Sequence, residues 1–351
     1  MPTTLTESKC VKAVIYHRYD DVRVEDVPVP AIGPGELLLQ PAGCGLCGSD
    51  IAKIAGRVEP PVILGHELAG RVAAVGAGVS EFRPGDRVVI AHHVPCGACH
   101  YCRHGNPSMC PVFRASNIDP AGFADYVRIP AEHARQTTLP LPDDLSDEEA
   151  SFTEPLACCL RAVRRSALLP GDTALVVGLG SIGLQMAQAF KALIEDVFVI
   201  GVDLKEERLA LGRRLGIDLA LSAETDDLAA RVREHTEGRG VDVAVLTAGG
   251  AGAVRQALGL IRKGGMLNIF ACPPGLVAPV DLSAVYHAEL TLTASYSSSP
   301  ADLRVSLELL AAGKVRVAEL VSHRLPLERF HEGLELARTQ QALKVFFVNQ
   351  A

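Results

Sequence analysis

The sequence predicts an α/β protein of two domains, a mostly β domain and a doubly wound parallel sheet. Three observations predict it. The chain has 351 residues, more than the roughly 250–300 residues that one hydrophobic core usually supports. Short strand patterns separated by proline and glycine fill the residues up to Pro155. Beyond Pro155 the patterns of strands and helices alternate, which is typical of a parallel sheet.

Strand patterns dominate the first part of the chain. Apolar and β-branched residues recur in short runs bounded by proline, glycine and charged residues. The runs that we expect to be strands are 12–16, 36–40, 70–75 and 86–90. We therefore expect residues 1–155 to form a mostly β domain.

The second part of the chain alternates between the hydrophobic periodicity of strands and that of helices. Its expected strands are Thr173–Val177, 197–202, Val241–Leu246, 265–270 and 290–294, and its expected helices include 182–193 and 206–215. We assign residues 156–296 to this parallel-sheet domain. A further helix at 301–312 leads to a strand at 343–348, so we expect residues 297–351 to return to the first domain.

Composition and charge exclude several functions. The net charge is −7 and the pI about 5.9, so we expect neither nucleic acid nor an anionic membrane as a partner. Residues 1–9 lack the basic and apolar segments of a secretory signal. No apolar run approaches the roughly 18 residues of a membrane span. We expect a cytoplasmic protein, where ten cysteines indicate metal binding rather than disulfides.

A glycine-rich motif follows the first strand of the parallel-sheet domain. The run 178–183 fits G-x-G-x-x-G and opens the helix that follows. Its glycines permit a tight turn, close approach of a pyrophosphate and close packing of helix on strand. The N-terminus of the helix offers free N–H groups to phosphates. The residues that we expect to contact the dinucleotide here are Gly178, Gly180, Ser181, Ile182 and Gly183.

Asp203 completes the motif, because it ends the next strand 20 residues after Gly183. Its carboxylate would accept hydrogen bonds from the adenosine ribose and would repel a 2′-phosphate, which favours NAD over NADP. Arg208 belongs to the same predicted cofactor set. A tight turn without nucleotide, or an FAD site, remains an alternative.

Four cysteines form a compact set with the pattern C-x2-C-x2-C-x7-C: Cys96, Cys99, Cys102 and Cys110. Four thiolates on a short, turn-rich lobe match a closed tetrahedral zinc site. The lobe has little apolar material, so a metal would substitute for a core. Four reduced, unliganded cysteines or an iron–sulfur cluster are the alternatives.

A second, dispersed set of candidate ligands consists of Cys47, the pair His66 and Glu67, and Glu154. One thiolate, one imidazole and one carboxylate would leave a tetrahedral zinc with an open position for substrate. The spacing alone predicts this site weakly, because a lone buried histidine is more often a satisfied core residue. Glu154 could instead cap a helix after Pro155, and a residue before proline favours extended backbone.

Together these residues resemble the medium-chain zinc alcohol dehydrogenase superfamily. The matching blocks are 45–50, 65–70, 85–88, the four-cysteine lobe, 154–156 and 178–183, and they span the whole chain. A carboxylate at Glu154, where many simple alcohol dehydrogenases carry cysteine, resembles the polyol (sorbitol-type) and threonine dehydrogenase branch.

The resemblance implies a GroES-like catalytic domain, with a structural zinc lobe at 96–110, split around a Rossmann domain. It places the active site in the cleft between the two domains. It implies two zinc ions per chain. Cys47 and His66 would bind the catalytic ion, with Glu67 or Glu154 completing the ligand set directly or through water.

The resemblance also suggests how the proton moves. Ser49 matches the hydroxyl that takes the substrate proton, and Asp50 matches a residue that orients His66. Many relatives carry a proton-relay histidine soon after this pair, but residues 51–53 read Ile-Ala-Lys here. The proton would leave through water, the nicotinamide ribose or another base. His93 resembles a substrate-site position of some relatives, or is simply a loop histidine.

The expected activity is hydride transfer between NAD and a secondary alcohol, such as a polyol, sugar alcohol or related hydroxy compound. The alternatives are a threonine-type 3-hydroxy (amino-alcohol) dehydrogenase and a ketone reductase of a biosynthetic pathway. A non-enzymatic NAD sensor and a zinc-ribbon nucleic-acid binder are the other function classes. We expect a small-molecule alcohol or ketone as substrate and a homodimer or homotetramer as the assembly.

Overall fold

A computed structural model of the chain describes residues 10–56, 59–60, 62 and 64–349. The expectation that residues 1–9 carry no secretory signal lies outside these described residues. Among the described residues, no helix is both long and apolar enough to cross a membrane.

The described residues form fifteen strands. They are β1 (Cys10–Arg18), β2 (Asp21–Pro28), β3 (Leu37–Gly45), β4 (Glu67–Val75), β5 (Arg87–Ile90), β6 (Val127–Ile129), β7 (Thr138–Pro140), β8 (Thr173–Val177), β9 (Phe198–Asp203), β10 (Leu219–Ser222), β11 (Val241–Leu246), β12 (Ile261–Ile269), β13 (Thr291–Ala294), β14 (His323–Pro326) and β15 (Val345–Val348).

Thirteen α-helices lie in the same described ranges. They are α1 (Gly48–Ala55), α2 (His100–Arg103), α3 (Pro111–Ala115), α4 (Ala131–Gln136), α5 (Asp147–Ala150), α6 (Thr153–Arg165), α7 (Ser181–Leu193), α8 (Glu206–Arg214), α9 (Leu228–Glu234), α10 (Ala251–Leu258), α11 (Leu282–His287), α12 (Pro300–Ala311) and α13 (Phe330–Arg338).

The chain divides into two compact units. The first contains the described parts of 1–154, 298–311 and 317–351, and the second contains 155–297 and 312–316. Residues 312–316 therefore lie with the parallel sheet, although the sequence assigned them to the returning segment. The side chain of Gln188 holds the backbone of Arg316 there through a donated and an accepted hydrogen bond.

The first unit is built on a mixed sheet with the order β14-β15-β3-β4-β5-β7, and β6 also pairs with β3. The strand predicted at 343–348 does return to this sheet, since β15 pairs antiparallel with β3. Three phenylalanines form the centre of the core, with ring centroids 5.0–5.4 Å apart: Phe123, Phe330 and Phe347. Because β15 lies beside β3, the last strand of the chain borders the residues that follow β3.

The second unit has a six-stranded parallel sheet with the order β10-β9-β8-β11-β12-β13. The chain runs outwards from β8 to β10 and then outwards from β11 to β13. The strand order thus reverses between β8 and β11, and the carboxyl ends of strands at such a point form the usual ligand crevice. The predicted doubly wound α/β fold is confirmed.

The start of α6 differs from the expectation. The proline rule predicted an extended backbone at Glu154, but Glu154 lies in the first turn of α6, which begins at Thr153. Proline is tolerated there because the first N–H groups of a helix need no partner within the helix. Glu154 is therefore a helical, buried carboxylate.

Candidate active site

The pairing of β3 with β4 brings the first candidate ligands together. Gly45 at the end of β3 lies opposite Glu67 at the start of β4. Cys47 follows β3 as the N-cap of α1, and His66 immediately precedes β4. The ligand atoms of Cys47, His66 and Glu67 consequently lie within 4.8 Å of one another.

Asp50 connects the two sides of this cluster and is fully buried. Its carboxylate accepts hydrogen bonds from the backbone N–H of Gly65 at 3.1 Å and of Cys47 at 3.2 Å. Its Oδ1 lies 3.4 Å from Nδ1 of His66. The other ring nitrogen, Nε2, therefore remains for a metal, as in carboxylate–histidine–zinc arrangements.

The charges around His66 favour a cation. Burial alone would lower the pKa of His66, but the Asp50 carboxylate and the Cys47 side chain outweigh burial and raise it well above its ordinary value. Burial would likewise raise the pKa of Asp50, and the charge of the neighbouring His66 keeps it lowered. The excess negative charge that favours a proton on His66 also favours a metal ion.

The two carboxylate oxygens of Glu67 lie in different environments. Its Oε2 forms a buried ion pair with the ammonium group of Lys344. Its Oε1 is buried without a hydrogen-bond partner. An unpaired buried carboxylate oxygen is costly, so Oε1 is available to a metal, and one carboxylate oxygen of Glu67 lies within 4.8 Å of the ligand atoms of Cys47 and His66. Thiolate, imidazole and carboxylate together match the ligand set of catalytic zinc.

Ser49 is exposed on α1, and its Oγ lies 3.4 Å from Nε2 of His66. This is a long contact for a hydrogen bond. It nevertheless places a hydroxyl group beside the ring nitrogen that remains for a metal, where it could exchange a proton with a bound alcohol.

The structure does not bring Glu154 into the cluster. Within the described ranges, the group of ligand atoms lying within 4.8 Å of one another contains Glu67 but not Glu154. Both are buried. The sequence left the choice of third ligand open between these two carboxylates, and the geometry here favours Glu67.

The four cysteines at 96–110 also converge. Their sulfur atoms all lie within 4.8 Å of one another, with 3.6 Å between Cys99 and Cys102 and between Cys96 and Cys110. Sulfurs at the corners of a tetrahedron around zinc lie about 3.8 Å apart when each bond is about 2.3 Å. The spacing therefore fits zinc, and the ten cysteines are all free of disulfides.

Backbone N–H groups stabilise thiolates within this lobe. Burial acts to raise the pKa of Cys110, yet N–H groups of Cys96 and Phe113 lower it to about 6. Burial and the neighbouring Cys99 raise the pKa of Cys102 to about 12. Four thiols that close together cannot all ionise without a cation, which a metal would supply.

A row of aromatic rings connects the cluster with the four-cysteine lobe. His92 lies between His66 and His93, with ring centroids 4.5 and 3.9 Å away. His93 packs on Phe113, 4.8 Å away, in α3 just after Cys110. Nδ1 of His93 is 2.6 Å from the carbonyl oxygen of Ser116. His93 is thus a packed residue of this row.

The glycine motif of the second unit forms a tight turn at the carboxyl end of β8. Gly178 has φ +91, a conformation that L side chains rarely adopt. A β-carbon at Gly183 would lie 1.8 Å from the carbonyl oxygen of Gly178, whereas one at Gly180 would meet nothing within 4 Å. The space at Gly180, the N-cap of the thirteen-residue α7, fits a bound pyrophosphate.

Asp203 ends β9 and holds this turn. Its Oδ2 accepts the N–H of Leu179 at 2.6 Å, and its Oδ1 accepts the N–H groups of Leu204 and Lys205 at 2.8 and 2.9 Å. The guanidinium of Arg208 lies 3.7 Å from Oδ2. Asp203 therefore has a structural task besides the predicted contact with ribose.

Two residues of the first unit were missed by the sequence analysis. The sequence does contain one indication of Lys344, because this single lysine directly precedes the apolar run 345–348. A lysine is almost never fully buried unless it is paired. His92 shows no local signal, because only the fold places its ring against His66.

Comparisons with known proteins agree with this arrangement. Residues 33–143 match the family described as alcohol dehydrogenase GroES-like domain, and residues 178–312 match the family described as zinc-binding dehydrogenase. Together the two matches cover both the candidate ligands at 47–110 and the glycine motif.

Three curated relatives illustrate the range of activities. A sorbitol dehydrogenase of Bacillus subtilis is 32% identical over 95% of each chain. A D-arabitol-phosphate dehydrogenase of Enterococcus avium is 34% identical over 93% of this chain and 94% of its own. An L-threonine 3-dehydrogenase of Anaeromyxobacter dehalogenans is 31% identical over 91% of this chain and 93% of its own.

Solved structures share the whole fold. The alcohol dehydrogenase TADH of Thermus sp. ATN1 is 31% identical with a TM-score of 0.85, covering 97% of this chain and 100% of its own. A zinc-binding dehydrogenase of Sinorhizobium meliloti 1021, solved with NADP, is 27% identical with a TM-score of 0.88 and the same two coverages.

Proposed function

Because this chain belongs to the medium-chain zinc alcohol dehydrogenase superfamily, in its polyol and threonine dehydrogenase branch, we propose that it transfers a hydride between a secondary alcohol and NAD. One observation carries the proposal. Cys47, His66 and Glu67 present three different metal-binding groups within 4.8 Å, and Oε1 of Glu67 is buried without a hydrogen-bond partner.

Two zinc ions per chain are part of the proposal. Cys47, His66 and Glu67 would hold the catalytic ion, with Glu154 as a further candidate, and the four cysteines at 96–110 would hold a structural ion. When bound, the zinc would act as a Lewis acid on the substrate hydroxyl and the nicotinamide would accept the hydride.

The residues of the chain would then position the reactants and move the proton. Asp50 fixes the orientation of His66 through the 3.4 Å contact at Nδ1. The exposed hydroxyl of Ser49 would accept the proton of the alcohol while passing its own proton onwards, because it lies on the Nε2 side of His66. Residues 51–53 carry no imidazole, so the proton would leave Ser49 through water or another base.

For the cofactor, we propose NAD rather than NADP. The phosphates would lie at Gly180 and the N-terminus of α7. The Asp203 carboxylate beside them would accept ribose hydroxyls and repel a 2′-phosphate. Arg208 is the counter-argument, since a guanidinium here can accept a phosphate, and a 27% identical structure was solved with NADP.

Polyols are the proposed substrate class, because the relatives with 32% and 34% identity are sorbitol and D-arabitol-phosphate dehydrogenases. The second candidate is a 3-hydroxy amino acid, favoured by the 31% identical L-threonine 3-dehydrogenase. NADH absorbance across sorbitol, other polyols, their phosphates and L-threonine separates the two. Reduction of NAD by L-threonine but not by any polyol would replace the first candidate by the second.

The catalytic assignment is tested with two cysteine variants. Cys47→Ser should abolish turnover, because a serine hydroxyl replaces the thiolate ligand, while NAD binding in the separate second unit remains. Cys10→Ser, at an exposed cysteine in β1, is the matched control and should keep full activity. Turnover in Cys47→Ser within about tenfold of wild type, about 1.4 kcal/mol of barrier, would contradict the assignment.

We also propose a homodimer or homotetramer in the cytoplasm. Support for assembly comes from β13, which ends the parallel sheet as an exposed edge strand. The chain around it exposes large apolar side chains, at Leu282, Tyr286, Leu292 and Tyr296, and exposed apolar patches mark interaction surfaces. Light scattering on the purified protein would show a monomer if this proposal is wrong.

A further inference from the structure

Lys344 is a buried cation next to the candidate metal cluster, and it immediately precedes β15. Its side chain is 5% exposed. Its ammonium group donates to the carbonyl oxygen of Leu46 at 3.2 Å and pairs with Oε2 of Glu67. It also lies 5.7 Å from the ring centroid of Phe152. The charge is thus held in place on several sides.

The backbone of Lys344 is equally fixed. Its carbonyl oxygen accepts the N–H groups of Ser322 and His323 at 3.0 and 3.2 Å. The next residue, Val345, accepts the N–H of Leu46 at 2.9 Å. These backbone contacts and the burial of the side chain keep the charge of Lys344 beside Glu67.

Glu67 is fitted to this lysine. A β-carbon at Gly45 would lie 2.4 Å from Oε2 of Glu67, so the glycine provides the space in which this oxygen meets the ammonium group. The two oxygens therefore have different roles: Oε2 faces Lys344, and Oε1 has no partner.

The charges in this cluster add up to a specific value. With Cys47 as a thiolate, as metal binding requires, the cluster has three negative groups, the other two being the Asp50 and Glu67 carboxylates. Lys344 contributes one positive charge, and His66 as a ligand is neutral. The sum of −2 is the charge that one divalent cation cancels. Without Lys344 the same cation would leave an excess of −1.

We propose that Lys344 is a positioning residue that sets the charge of the catalytic metal site, by holding one oxygen of Glu67 away from the metal. The inference rests on the proposed function. An ion surrounded by less negative charge polarises a substrate hydroxyl more strongly. Lys344 therefore weakens the hold on the metal and raises the reactivity of the bound alcohol.

This role has an opposite signature to that of an ordinary structural ion pair. If Lys344 only supported the fold, its loss would loosen the site, and zinc and activity would fall together. If it sets the charge, its loss should strengthen zinc binding while activity falls. The two effects are measured separately, zinc binding by competition with a chromophoric chelator and activity by NADH absorbance with the best substrate of the panel.

The experiment uses Lys344→Gln and Lys344→Arg in the full-length protein. We expect Lys344→Gln to bind the exchangeable zinc about tenfold more tightly, the scale on which a charge within about 4–6 Å shifts an equilibrium. Its kcat/KM should fall about tenfold or more. Lys344→Arg keeps the charge and should keep both values within about threefold of wild type. Lys191→Gln is the matched control, because it removes the ion pair with Asp218 in the second unit.

A double variant keeps the test valid if Lys344→Gln fails to fold because it leaves Glu67 unpaired. In a Glu67→Gln background, adding Lys344→Gln changes the sum from −1 to −2, so the double variant should bind zinc more tightly than Glu67→Gln alone. Weaker zinc binding in Lys344→Gln than in wild type would overturn this inference but not the proposed metal site. Equal losses of activity in Lys344→Gln and Lys344→Arg would do the same. A wild-type protein without an exchangeable zinc would overturn the proposed metal site as well.

Discussion

His92 packs its imidazole against that of His66, with the ring centroids 4.5 Å apart. Burial first, and then the charges of His66 and His93, keep the pKa of His92 well below its ordinary value. At neutral pH, His92 is therefore an uncharged ring whose contribution to the site is packing.

Replacing His92 should accordingly disturb His66 by shape rather than by charge. We expect His92→Ala to reduce kcat/KM by roughly ten- to a hundredfold, the scale observed when residues that support metal ligands are lost. His92→Phe restores a ring of similar shape and should recover most of the activity. If alanine and phenylalanine give the same activity, packing on His66 is not the role of His92.

His93 should make stability depend on pH. Burial lowers its pKa from 6.5 to about 4, so between these values the unfolded chain binds a proton that the folded chain does not. The free energy of unfolding should therefore fall as the pH drops from about 6.5 towards 4. Denaturant titrations of wild type and His93→Asn measure the difference. The asparagine variant should lose less stability across this interval, and parallel curves would exclude His93 as a source.

The two metal sites should differ in how fast they release zinc to a chelator. The four-cysteine site supplies four ligands from residues 96–110, whereas the Cys47 cluster supplies three and leaves a position open. A chelator should first remove about one zinc per chain together with the activity, and the second only later. Cys99→Ser provides the control, since it should abolish the slowly released ion. One zinc per chain in untreated protein would contradict this assignment.

Asp203 should determine the choice of cofactor. Asp203→Asn removes the negative charge but keeps the size of the side chain, so the turn held through Leu179 is disturbed less than by glycine or serine. We expect the ratio of kcat/KM for NADP to that for NAD to rise at least tenfold. Wild type that already prefers NADP, or an unchanged ratio in the variant, would rule the assignment out.

Glu154 and Glu67 can be compared by the same isosteric change. Because the Glu67 carboxylate belongs to the cluster, Glu67→Gln should weaken zinc binding more than Glu154→Gln does. We still expect Glu154→Gln to reduce kcat/KM by roughly ten- to a hundredfold if it supports the metal. If Glu154 only stabilises the first turn of α6, Glu154→Gln should keep full activity. Its free energy of unfolding should then fall by about 1 kcal/mol or less.

The sequence by itself determined the features whose cause is local. The motif 178–183 sits where a strand meets a helix, and close packing there excludes a side chain at Gly183, which would meet the carbonyl of Gly178 at 1.8 Å. The four cysteines at 96–110 converge because one short lobe carries them all. The alternation of strand and helix patterns after Pro155 predicted the parallel sheet, because these patterns also have a local cause in the sequence.

Tertiary structure decided the contacts between residues distant in the chain. Glu67 and Lys344 are 277 positions apart, and they meet only because β15 pairs with β3 while β3 pairs with β4. Periodicity shows which face of a strand is buried but not which strand lies next to it. The ring of His92 against His66, and the choice of Glu67 over Glu154 in the cluster, depend on that register in the same way.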